Sequence, residues 1–133
     1  MNESQQELIF RLSMYEQQIN HLQQQIQAIE QAIIEISSLN IGLNELVGSE
    51  GKEILAPIGR GIFVRAKLVS EDLRVDVGGK NFVKKSIPET QKIIEKQIEK
   101  LEDVKEDIIN NLEKLSNEIH KIIEMSQEKG GKK

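Results

Sequence analysis

The first fifty residues repeat apolar side chains at a spacing that leaves few folds open. Leu8, Leu12, Tyr15, Ile19, Leu22, Ile26, Ile29, Ile33, Ile36, Asn40, Leu43 and Val47 step alternately by four and three, and eleven of the twelve are apolar. A mean step of about 3.5 residues keeps one stripe of a helix turned toward a partner helix, so the block predicts one strand of a coiled coil. Between Glu16 and Gln31 the other positions are mostly Gln, Glu and Asn, as a solvated helix surface requires. Gly42 weakens this helix by about 1 kcal/mol. Gly48 and Gly51 mark its end.

The last third of the chain repeats the pattern. Ile94, Ile98, Leu101, Lys105, Ile108, Leu112, Leu115, Ile119, Ile122 and Ser126 follow the same alternation, eight of ten being apolar. Ser86 ahead of Pro88 and Glu89 reads as a capped helix start with proline in the first turn. Gly130 and Gly131 are expected to stop the helix and leave a basic, flexible tail.

Between the two seams the period falls to two. Ile62, Val64, Ala66 and Leu68 alternate with Phe63, Arg65 and Lys67, and Leu73, Val75 and Val77 alternate with Arg74 and Asp76. Lys52–Ala56 and Phe82–Lys85 are shorter strand candidates. The turns fall at Pro57-Ile58-Gly59-Arg60-Gly61, at Ser70-Glu71-Asp72 and at Gly78-Gly79, which divides the insert into two β-hairpins.

The predicted fold is therefore α+β but mostly α: a long antiparallel two-helix coiled coil with a central insert of two β-hairpins. As one domain over residues 1–133, it divides into an N-terminal helix over 1–50, an oligomerisation insert over 52–86, a C-terminal helix over 87–128 and a flexible tail over 129–133. At about 1.5 Å per residue, helices of about 40 residues are roughly 60 Å long, and equal arms flanking the insert favour folding back as a hairpin. Two separate helices, each pairing with another chain, are the other arrangement compatible with the seams. Four short strands with exposed edges and little cover need partner strands, so the insert is expected to associate with other chains.

Composition narrows the function. Aromatic residues are 3% and charged residues 30%, a balance that suits long solvated helices better than a sphere. With no cysteine, disulfides and thiolate metal sites are excluded. No apolar run approaches the roughly 18 residues of a membrane span, and MNESQQELIF lacks the pattern of a signal peptide, so a soluble cytoplasmic protein with no membrane partner is expected. Residues 1–51 hold one basic and seven acidic side chains, residues 52–86 eight and four, and residues 87–133 nine and eleven. So mild a basic excess, without an aromatic stacking platform, does not support a nucleic-acid site.

No catalytic constellation, cofactor motif or metal cluster is present in the pattern. His21 and His120 stand beside seam positions with no third ligand at suitable spacing. Gly59, Gly61, Gly78 and Gly79 lack the Gly-Lys-Ser/Thr and the strand–loop–helix setting of a phosphate loop. Asn40 and Lys105 break the seams, and polar seam residues often fix register at a cost in stability. Folding back brings Lys105 near Glu30, either as a register-setting ion pair or with the lysine reaching past the seam to water. Near the chain ends apolar residues exceed what one seam can bury. Leu8, Ile9 and Phe10 run consecutively with Met14 following, and Ile119, Ile122, Ile123 and Met125 lie opposite. Such an adaptable, Met-containing patch is suited to gripping other proteins, the alternative being a frayed end packed on itself.

The insert opens with Glu53-Ile54-Leu55-Ala56-Pro57-Ile58-Gly59 and continues with Val75-Asp76-Val77-Gly78-Gly79-Lys80-Asn81-Phe82-Val83. Within a helix–two hairpins–helix order, these segments resemble the alpha class of the prefoldin family, in its shorter, archaeal form. Two hairpins favour the alpha over the beta class. Ala56 stands where the family more often has Val, and Asn81 where a larger residue is common. The resemblance implies a hetero-hexamer of two alpha and four prefoldin beta subunits whose hairpins build a β-barrel body. It implies an ATP-independent chaperone, without cofactor, whose arm tips hold unfolded client proteins and pass them to a group II chaperonin. Carried to this sequence, Leu8, Ile9, Phe10, Met14, Ile119, Ile122, Ile123 and Met125 are the expected client contacts. Ile54, Ile62, Val64, Leu73, Val75, Val77 and Phe82 are the expected oligomerisation contacts. A passive coiled-coil scaffold or tether is the competing reading.

Overall fold

A computed structural model describes residues 3–131, with the side chains of residues 4–126. Helix α1 (Glu3–Leu46) leads into strands β1 (Glu53–Gly59), β2 (Ile62–Lys67), β3 (Leu73–Asp76) and β4 (Phe82–Lys85), and helix α2 (Ile87–Gly131) follows. The expected mixed, mostly helical class with two hairpins is what is found. Met1, Asn2, Lys132 and Lys133 lie outside the described residues.

Helix α1 stops at Leu46, short of residue 50. Gly48 takes a left-handed φ of 78° that a side chain disfavours, and the turn closes through Ser49 N–H to the Leu46 carbonyl at 3.0 Å. Val47 is therefore past the helix and exposed, while Leu46 packs inward in its place. Helix α2 begins as its sequence requires: Ser86 Oγ accepts from the Glu89 amide at 3.2 Å, and Pro88 sits in the first turn, where no intrahelical donor is lost. It continues to Gly131 instead of ending at 128, since glycine lowers helix stability without removing a donor.

The contacts divide the chain into two compact units, residues 33–99 and residues 1–32 with 100–133. In the first, Leu43, Ile87 and Ile94 form a buried cluster, joined by Ile36, Leu46, Leu73 and Ile98, and Gln91 Nε2 donates to Asn44 Oδ1 at 2.7 Å. In the second, Ile108 and Ile122 are buried, and Lys105 Nζ lies 3.2 Å from Glu30 Oε1. Of the two readings of Lys105, the ion pair is the one observed. Each unit thus holds its own antiparallel contact between the two helices, Glu30 with Lys105 in one and Asn44 with Gln91 in the other. The other seam residues from Leu8 to Leu43 and from Ile94 to Ile122 are buried or half-buried, whereas Ser126 is exposed.

The four strands make two separate two-stranded antiparallel sheets, β1 with β2 and β3 with β4. In the first, Ile54 faces Ala66 and Ala56 faces Val64, and a bulge lies between Pro57 and Gly59. That bulge carries strand β1 through residues expected to be all turn. In the second, Val75 faces Val83. Its turn places both Gly79 and Lys80 at positive φ, closed by Asn81 N–H to the Gly78 carbonyl at 3.0 Å, the geometry that suits the twist of a hairpin.

Candidate binding surfaces

The hairpins expose apolar side chains on both faces. In β1–β2, Ile54, Ala56 and Ala66 are half-buried on one face, but Val64 on that face is exposed. Leu55 and Phe63 are exposed on the other, next to the Arg65–Glu53 pair at 3.7 Å. Ile58 and Ile62 are exposed near the turn. In β3–β4, Leu73 packs on the helix cluster and Val75 is half-buried, while Val77, Phe82 and Val83 are exposed. The seven expected assembly residues thus separate by position. Ile54, Leu73 and Val75 are partly covered by their own chain, and Ile62, Val64, Val77 and Phe82 stand open. Leu55, Ile58, Phe63 and Val83 join the open set.

The open edges add to this. A lone two-stranded hairpin is marginal in water, and each here has two edges with unpaired backbone groups. Charge is handled locally: Arg74 stands opposite Lys84, and Lys84 Nζ reaches Asp72 Oδ2 at 3.1 Å. The hydrogen bond from Lys84 holds the Asp72 carboxyl below its ordinary range, with Ser70 and Arg74 acting in the same sense.

The second surface lies where the N-terminal part of α1 meets the C-terminal part of α2. Leu8 and Ile119 are half-buried and Ile122 is 5% exposed, so these three belong to the seam. The expected client contacts that remain at the surface are Ile9, Phe10 (66% exposed), Met14, Ile123 and Met125. Phe10 and Met14, four apart, share one helix face. Ile123 and Met125 flank the buried Ile122 on either side.

The Gln25 amide lies 3.1 Å from His21 Nε2, His120 is exposed, and no group of three or more potential metal ligands occurs among the described residues. No described helix is long and apolar enough to cross a membrane.

The family profile described as Prefoldin subunit matches residues 15–132. The chain belongs to the prefoldin family. The prefoldin subunit alpha of Thermofilum pendens is 32% identical over 124 residues, covering 92% of this chain and 96% of the relative. That of Methanobrevibacter smithii is 30% identical over 111 residues, covering 83% and 76%. A cryo-EM structure of filamentous PFD from Methanocaldococcus jannaschii superposes with a TM-score of 0.77 at 25% identity, over 86% of this chain and 96% of that one. The alpha-class resemblance drawn from the two hairpins thus agrees with the relatives' names. Membership in the prefoldin family gives the chain the role of a chaperone subunit that assembles with other subunits.

Proposed function

We propose that this chain is the alpha subunit of an ATP-independent holdase that acts in the cytoplasm. Two copies join four beta subunits through the hairpins, the helix ends hold non-native proteins, and the cargo passes to a group II chaperonin. One observation carries the client-binding part. Ile9, Phe10, Met14, Ile123 and Met125 are exposed although the adjacent seam is already filled by Leu8, Leu12, Ile119 and Ile122. The helix pair therefore has no structural need for them. An unfolded segment covering one such side chain gains about 1.5–3 kcal/mol at most. One helix pair thus grips weakly, and several on one assembly grip by avidity.

The test is suppression of light scattering by a denatured client as it is diluted from denaturant. The assembled wild type is expected to suppress scattering, and the Ile9→Ser, Phe10→Ser, Ile123→Ser triple variant to suppress it only in part at equal concentration. A passive scaffold would leave scattering unchanged in both cases, and that result would overturn the reading.

A further inference from the structure

The last three turns of α1 carry two overlapping apolar stripes, and the structure uses parts of both. Ile36, Asn40, Leu43 and Val47 form the stripe that continues the long seam. Ile36, Leu39, Leu43 and Leu46 form a second, equally regular one with steps of three, four and three. The two stripe centres differ by roughly 50° around a helix of about 3.6 residues per turn. In the observed setting Asn40 points inward and Leu39 is 55% exposed, yet Leu46 has already replaced Val47 against the buried cluster.

The setting is poorly satisfied at its middle. Asn40 Oδ1 is buried without a hydrogen-bond partner, an arrangement that costs free energy with no return from packing. A turn of α1 toward the second stripe would bring Leu39 to the seam and release the Asn40 amide to water. Gly42 makes room for this movement. It faces open space now, with nothing within 4 Å of the position a Cβ would take, and has no side chain to collide with α2 when it turns toward it. What opposes the turn is the exposed Asn44–Gln91 hydrogen bond at 2.7 Å, which a rotation of that size would break.

We infer that α1 has two rotational settings over Ile36–Leu46: the one observed, with Asn40 in the seam and the Asn44–Gln91 bond as its latch, and a second with Leu39 in the seam and that bond open. The device exchanges an orphaned amide for a latch, so two single substitutions must move it in opposite directions.

The chain contains no cysteine, which makes the settings accessible to disulfide trapping. Ile94 lies on α2 in the same cluster, within one residue of the level of Asn40 in the antiparallel register that pairs Asn44 with Gln91. The Asn40→Cys, Ile94→Cys pair reports the observed setting, and the Leu39→Cys, Ile94→Cys pair reports the second. In full-length, assembled protein with helix content checked by circular dichroism, both pairs are expected to close within one chain. Gln91→Ala is expected to speed closure of the Leu39→Cys pair severalfold. In the same Leu39→Cys, Ile94→Cys background, Asn40→Leu is expected to slow it about tenfold, the ratio a single buried unpaired group commonly sets. Closure of the Asn40→Cys pair alone, or a Leu39→Cys pair whose rate ignores both substitutions, would overturn the inference.

Discussion

The helix pair and the hairpins bury their apolar side chains to very different extents. In the helices an apolar residue every three or four positions meets a second stripe from the same chain, and Ile94, Ile108 and Ile122 are buried. In the hairpins the same chemistry leaves Leu55, Phe63, Val64 and Phe82 open. The difference lies in the partner each element finds. A long helix can fold back on its own continuation, whereas a two-stranded sheet has two faces and two edges to satisfy and no second layer. The chain is self-sufficient where it is a coiled coil and incomplete where it is a sheet.

The largest effect expected from this contrast is on assembly. Phe63→Asp with Val64→Asp should remove about 3–6 kcal/mol of association, a hundredfold or more in the binding constant, at about 1.5–3 kcal/mol for each apolar residue. Sedimentation should show smaller species while circular dichroism retains the helix signal. A variant that still assembles would mean the hairpin faces are solvent surfaces after all.

Next in size is a contrast within the helix ends. Ile122→Ala, in the seam, should cost about 2–5 kcal/mol of thermal stability. Phe10→Ala, outside it, should stay within about 0.5 kcal/mol. Equal losses would erase the distinction between seam and surface.

Lys105 gives a smaller effect. Its pair with Glu30 is partly solvated, and such pairs contribute about 0–1 kcal/mol. Lys105→Leu should therefore leave stability unchanged or raise it, because a partly desolvated ion pair seldom outweighs an apolar contact. A clear fall in melting temperature would show that the pair is needed to set the register.

The smallest effect is a pH dependence in β3–β4. The carboxyl of Asp72 is held below its ordinary range by the hydrogen bond from Lys84. A group whose folded pKa is lowered adds stability above its unfolded pKa, and that stability is lost as pH falls through the folded value. Amide exchange in Phe82–Lys85 should accelerate slightly as the pH falls below the usual carboxylate range. Asp72→Asn should remove that dependence, and a dependence that survives the substitution belongs to another group.

Much of the architecture was legible in the sequence because the governing signals are periodic and local. A step of 3.5 residues over forty positions marks a helix with one apolar seam, Ser86 with Glu89 marks a helix start, and the equal arms brought Lys105 to Glu30. The inward face of each strand was not legible in the same way. Strands that carry apolar residues on both faces offer no clean alternation to assign one face to the interior. Only β3 alternates cleanly, and its Leu73 and Val75 are the partly covered residues, whereas Phe63 and Val64, on opposite faces of β2, are both open. The end of α1 was misread for a related reason: Leu46 and Val47 are both apolar neighbours, and only the left-handed turn at Gly48 decides which one faces in. At the helix ends the excess of apolar residues was visible, but the division between Ile122 and its neighbours Ile123 and Met125 required the packed register.

The central claim is that assembly and client holding reside in different parts of the chain. It is tested most directly by deleting residues 1–14 and 119–133 together, assembling the shortened chain with its beta subunits, and measuring both properties on one sample. The account predicts that sedimentation still finds the hexamer while suppression of client light scattering is lost. A shortened protein that assembles and holds clients with full activity would contradict it and place the grip in the remaining helices or in the hairpins.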